Sequence, residues 1–97
     1  MHFHFEWDPD NASANLKKHR VSFEQAAEIF KDPIALTVYD EDNSDDEERW
    51  VTLGRVQQQH FLVVVHTYHD SESNVVRIRI ISARPATRPE IKQYENG

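Results

Sequence analysis

Residues 49–83 read RWVTLGRVQQQHFLVVVHTYHDSESNVVRIRIISA. Three runs rich in Val, Ile, Thr and aromatic residues, 49–56, 60–68 and 75–83, are separated by two short polar stretches, 57–59 and 69–73. Composition and spacing of this kind mark β-strands. Connections this short force antiparallel neighbours. The middle run holds the longest purely apolar stretch, 61–65, and is the expected centre of the sheet. In the first run Trp50, Thr52 and Gly54 share a face. In the third, Arg77 and Arg79 share a face with Val75, Ile81 and Ala83.

Upstream, residues 34–39 form another strand, and 2–7 alternate with Phe3, Phe5 and Trp7 on one side and His2, His4 and Glu6 on the other. Between these strands lie two helices. Asp8 is an N-cap with Pro9 at the first helical position, and Trp7 and Ala12 are placed as a hydrophobic staple. This helix carries Ala12 and Leu16 inward and ends near Lys18, where basic residues suit the negative end of the helix dipole. Ser22 and Gln25 form a capping box for the second, and Val21 and Ala26 a staple. Its apolar face is Phe23, Ala26, Ala27 and Phe30, and Asp32-Pro33 stops it. Thr87 and Glu90 cap a last helix ending near Glu95. The expectation is an α+β fold: an antiparallel meander of four to five strands, two N-terminal helices and one C-terminal helix, with the helices against one face.

The chain has 97 residues, which argues for one domain over 1–97. With no cysteine it has no disulfide framework, no thiol nucleophile and no Cys-ligated zinc. No apolar run approaches the roughly 20 residues of a membrane span. The N-terminus lacks signal-peptide character. The expected setting is the cytoplasm, with no membrane partner. The net charge of −6 taken whole argues against nucleic acid, but seven acidic residues fall within 40–48. Without them ten acidic side chains face eleven basic ones, a balance of +1. The acidic run reads first as a solvated, extended loop. The alternative is an electrostatic latch or a docking strip for a basic partner.

Several motifs resemble BrnT-type toxins. They are Phe5-Glu6-Trp7-Asp8, Asn15, Lys18-His19, Val21-Ser22-Phe23-Glu24 with Ala26 and Ala27, and Asp32-Pro33. Downstream come residues 63–67 (VVVHT) and 79–84 (RIISAR), then Ala86-Thr87-Arg88, Glu90 and Tyr94-Glu95. The resemblance spans nearly the whole chain. It implies a fold like the RelE ribonuclease toxins and endoribonuclease activity that inhibits translation and growth. It also implies a cognate ribbon-helix-helix antitoxin that binds DNA and represses the shared promoter, so DNA is reached only through the complex. Two departures stand out. Arg20 replaces a Gly that would fit a left-handed helix stop, and Pro85 and Pro89 lie where the family usually carries more Lys and Arg.

RNA cleavage without a metal needs a base for the ribose 2′-OH, cations at the phosphate and an acid for the 5′-oxygen. No cofactor and no metal is expected. Arg84 and Arg88 flank the start of the last helix, where backbone N–H groups favour anions. Thr87 lies there too, with capping as its simpler role. Arg77 and Arg79 are either a solvated sheet surface or the floor of an RNA groove. His19 belongs to a residue type that exchanges protons near neutral pH. Lys18 beside it is a phosphate or electrostatic candidate, and both also suit a helix end. Arg20 adds a cation where RNA would lie, and Arg49 either meets phosphate or pairs with Glu47 or Glu48. Tyr94 stacks on a base, donates a proton, or packs its helix on the sheet. The catalytic candidates are therefore Lys18, His19, Arg79, Arg84 and Tyr94; the RNA-binding candidates are Arg20, Arg49, Arg77, Thr87 and Arg88. His2 with His4 and His66 with His69 lack a clear third ligand for a metal. Besides the enzyme, two other readings stand. One is a catalytically weak homologue that binds RNA or the antitoxin. The other is a structural or DNA-binding protein, for which no helix shows a base-reading pattern.

Overall fold

A computed structural model of the chain describes residues 2–57, 60–70 and 74–97. The elements are β1 (His2–Glu6), α1 (Pro9–His19), α2 (Phe23–Ala27), a 3-10 turn Glu28–Lys31, β2 (Leu36–Tyr39), a 3-10 turn Glu41–Asn43, β3 (Trp50–Val56), β4 (His60–Asp70), β5 (Val75–Pro85) and α3 (Arg88–Asn96). The class is α+β, and β4 is central in the sheet order β1-β5-β4-β3-β2. From β2 to β5 the sheet is the expected antiparallel meander. The expected turn residues 58–59 and 71–73 lie outside the described residues. β4 runs to Asp70, past the expected end, because His69 and Asp70 pair with Arg77 and Val76.

Two expectations are corrected. The sheet is mixed: β1 lies parallel to β5, with Phe5 opposite Ile78 and Glu6 opposite Arg79. The helical crossover after β1 is long enough to permit this, and only short loops enforce antiparallel pairing. Nor do the helices share one face. Val21, Phe23, Ala26 and Ile29 pack with Leu62, Val64, Ile78, Ile80 and Ala83 on one side. Tyr94 of α3 packs with Leu53 and Val63 on the other. The cause lies in β4, where Phe61 and Val63 alternate with Leu62 and Val64. A strand apolar on both sides requires cover on both.

The other deviations are local. α1 starts as expected, with the Asp8 carboxylate accepting from the Asp10 N–H at 2.8 Å. Its inward residues are Ala12 and Asn15, whereas Leu16 is 48% exposed. The Asn15 amide donates to the carbonyls of Val21 (3.1 Å) and Ala83 (2.8 Å) and accepts from the Ala83 N–H (3.0 Å). β1 pairing stops at Arg79, so Asn15 supplies the partners that Ala83 would otherwise lack. The second helix is shorter than expected, five α-helical residues and then the 3-10 turn. Its Ser22 cap accepts from the Gln25 N–H at 3.0 Å.

β5 carries the feature that decides the site. Val65 pairs with Ser82 and His66 with Ile80, so Ile81 is an extra, bulged residue. The bulge reverses the alternation. Ala83 therefore joins Ile78 and Ile80 in the core under α1 and α2, instead of sharing the face of Arg77 and Arg79. Arg84, paired with Val63, comes round to the arginine face.

Candidate active site

Arg77 and Arg79 stand on the sheet face that also carries α3. The flanking strands supply their neighbours. Arg77 lies between His4 of β1 and His69 of β4, and Arg79 between Glu6 and Thr67. The polar side of β1 thus faces the arginines. Arg49 lies one residue beyond the pair Trp50–His66, so the antiparallel register carries it toward Thr67.

The acidic segment folds back over this face. It is not the loose run expected of a like-charge stretch. The Asp40 N–H donates to the Arg49 carbonyl at 2.9 Å, and the Ser44 hydroxyl accepts from the Arg49 N–H at 3.0 Å. Ser44 also donates to the Asp40 carbonyl, and the Asn43 amide donates to the Asp40 carboxylate at 3.1 Å. So held, Glu47 accepts a hydrogen bond from Nη2 of Arg79 through Oε1, the same oxygen that lies 3.9 Å from Nη2 of Arg49. Beside this contact two buried polar atoms, Arg49 Nε and Thr67 Oγ1, have no hydrogen-bond partner among the described residues.

The remaining candidates are placed elsewhere. Arg84 makes a two-bond pair with Glu90, both at 2.9 Å. That contact first, and the bonds from Thr87 next, hold the Glu90 carboxyl down to about 2 against its burial. Thr87 and Glu90 form the full capping box. Arg88 is exposed at the start of α3. Tyr94 is buried, its ring edge-on to Phe61 and its hydroxyl donating to Asp32 at 2.7 Å. Burial first, and this bond second, push its phenol up to about 12. Lys18 and His19 line an open groove of about 270 Å³ with Asn11, Ala14, Ile81 and Ser82. They therefore sit beside the bulge, whose Ile81 and Ser82 lie between Arg79 and Arg84 in chain order. Arg20 caps α1 in the left-handed region at φ 61.

The two histidine pairs differ. His2 and His4 share a face, whereas His66 and His69 point to opposite sides of β4. His66 is fully buried, with Nδ1 3.4 Å from the Thr67 carbonyl and Nε2 2.6 Å from the Thr52 hydroxyl. Burial lowers its pKa to about 4. Among the described residues no group of three or more His, Cys, Asp or Glu is placed to hold a metal. The sequence reading missed Thr67 and Glu6 as neighbours of Arg79. The alternation of β1 marks Glu6, but only the strand order shows what it faces.

Cations, imidazoles and a carboxylate on one sheet face are the groups that phosphodiester cleavage uses. A family model described as "Ribonuclease toxin, BrnT, of type II toxin-antitoxin system" matches residues 7–90. The chain belongs to the BrnT family of ribonuclease toxins. BrnT membership implies an RNA target and an antitoxin partner. A comparison with curated proteins gives no match. Among solved structures, the 1.1 Å crystal structure of the Brucella abortus ribonuclease toxin BrnT is similar, with a TM-score of 0.63 and 20% identity. The alignment covers 91% of this chain and 100% of that one, and it shows the shared fold. Among the described residues no helix is long and apolar enough to cross a membrane.

Proposed function

We propose that residues 1–97 act as one endoribonuclease unit that cleaves RNA without a metal, slows translation and growth, and works in the cytoplasm. Its partner is a cognate ribbon-helix-helix antitoxin, through which alone it contacts DNA. The observation that carries the catalytic reading is the β5 bulge, which leaves Arg77, Arg79 and Arg84 on one face with a histidine on each side of Arg77.

Arg79 holds the scissile phosphate and stabilises charge as the phosphorane forms. Arg77 and Arg49 extend the cationic row, and Arg20 and Arg88 contact flanking phosphates. A base removes the 2′-OH proton, the oxygen attacks phosphorus, and an acid protonates the departing 5′-oxygen. The products are a 2′,3′-cyclic phosphate and a 5′-hydroxyl. Lys18 and His19 in the bulge groove are one acid/base set; His4 and His69 beside Arg77 are the other. Arg84, through Glu90, and Thr87 position the start of α3, and Tyr94 seats that helix on the sheet.

Purified protein is expected to cut RNA in EDTA and leave cyclic phosphate ends. Arg79→Gln is expected to slow cleavage by roughly 100-fold, the scale for losing one donor to a developing oxyanion. His19→Gln compared with His4→Gln and His69→Gln identifies the proton-transfer set. Intact RNA beside a cleaved positive control would overturn the proposal. One observation favours a second reading, a catalytically weak binding homologue: Arg79 and Arg84 are each paired with a carboxylate of the chain itself. Normal growth on expression without antitoxin, together with retained antitoxin binding, would decide for it.

A further inference from the structure

Arg79, Arg49 and Thr67 meet under the acidic loop, and the group resting on them is a carboxylate. One oxygen of Glu47 serves both guanidinium groups. The fit is incomplete. Among the described residues, Thr67, 1% exposed, has its hydroxyl unpartnered, and Arg49 keeps a buried Nε–H without an acceptor. Leaving such groups unmatched costs free energy. A tetrahedral phosphodiester brings two non-bridging oxygens and two ester oxygens, and arginine takes phosphate as readily as carboxylate.

We propose that Arg79, Arg49 and Thr67 form a seat for one RNA phosphodiester, and that Glu47 is its resident competitor. The chain rests with the seat filled by its own carboxylate. RNA enters by exchanging anion for anion, with the acidic loop moving off the face. The inference rests on the ribonuclease reading above and adds to it the position of one phosphate and the group that must leave. Three features support the exchange. The side chains of Glu47, Arg49 and Arg79 are between 33% and 42% exposed, so solvent and ligand reach them. The bonds of Asp40, Asn43 and Ser44 lie within residues 40–49, so the loop keeps them as Glu47 leaves Arg79. And the other acids of the run repel an RNA backbone while the loop is down, so release of one contact removes a larger barrier.

The test uses the full chain and a short 2′-O-methyl RNA, which binds but has no nucleophile, followed by fluorescence anisotropy at low salt. Glu47→Gln is expected to bind it roughly fivefold tighter than wild type, the equivalent of removing one partly exposed ion pair. Glu41→Gln, which removes a charge from the same loop away from the seat, is expected to stay within about twofold. In the Arg79→Gln background the Glu47→Gln gain should vanish, which assigns it to that pair. Equal gains from Glu47→Gln and Glu41→Gln would overturn the proposal, because loop charge alone would then explain them. Weaker binding by Glu47→Gln would overturn it too, since Glu47 would then be orienting Arg79 for RNA. Cleavage of ordinary RNA separates the two readings. If cleavage requires Arg79 but Glu47→Gln binds no tighter, the seat is refuted and the enzyme stands. If Glu47→Gln binds tighter and nothing cleaves, the seat stands and the enzyme is refuted.

Discussion

Arg20 holds φ 61 and ψ 26, a conformation that Gly adopts freely and that any side chain adopts at a cost. Its N–H still donates to the Leu16 carbonyl at 2.9 Å, so the helix stop is intact and the residue type is what strains it. Arg20→Gly is expected to stabilise the fold by about 1 kcal/mol, raising the melting temperature by roughly 4–8 °C. The same change should weaken RNA binding if the guanidinium contacts a flanking phosphate. A melting curve beside a binding titration reads both, and a lower melting temperature would show that Arg20 contributes contacts exceeding its strain. The resemblance to BrnT-type toxins made this position visible, because Arg20 follows Lys18-His19 where that family usually has a Gly. It included Asn15 but not that residue's role. Helical spacing groups Ala12 with Leu16, yet Asn15 is the buried one. The reason is a pair of backbone groups on Ala83, 68 residues away, that need hydrogen-bond partners.

At the scale of elements, strands and caps were legible and their arrangement was less so. Alternation and turn spacing mark β3, β4 and β5, and Thr87 with Glu90 marks α3. Strand order is set by the crossover, which no short window contains. The bulge at Ile81 is harder still, since four apolar or small residues in a row, Ile80 to Ala83, carry no parity to break. That one residue decides which arginines share a face, so the site was legible as a set of cations and illegible as a geometry. Gly54 gives an element-scale prediction. A Cβ there would lie 2.9 Å from Cβ of Ile29 and 3.3 Å from Cβ of Ala35, so only glycine lets the 3-10 turn rest on β3. Gly54→Ala is expected to cost about 1–3 kcal/mol by overpacking. A urea titration measures it, and an unshifted midpoint would mean that the turn slides away without loss.

For the whole molecule, the net charge of −6 describes a segment more than a surface: seven acids fall within 40–48, and Glu47 among them rests on Arg79 and lies near Arg49. Stability against pH follows instead from groups inside the fold. His66 is fully buried and titrates near 4 when folded, against 6.5 for the ordinary side chain. Above pH 6.5 it is neutral in both states and its hydrogen bond with Thr52 contributes fully. As pH falls from 6.5 toward 4 the unfolded chain takes up a proton that the folded chain refuses, so stability drops, by about 3 kcal/mol in all. Glu90 acts lower, where its bonds to Arg84 and Thr87 are lost as pH falls from 4.5 toward 2. Tyr94 sets the alkaline side, because its phenol resists ionisation up to about 12 and stability declines as pH rises past 10. A plateau between roughly pH 6.5 and 10 is therefore expected, with the first acid loss belonging to His66. Urea midpoints from pH 8 to pH 5 test this in wild type and in His66→Gln, which starts lower for lack of the native packing. The variant's midpoint should stay level over that span while that of wild type falls. Parallel slopes would assign the acid loss to groups other than His66.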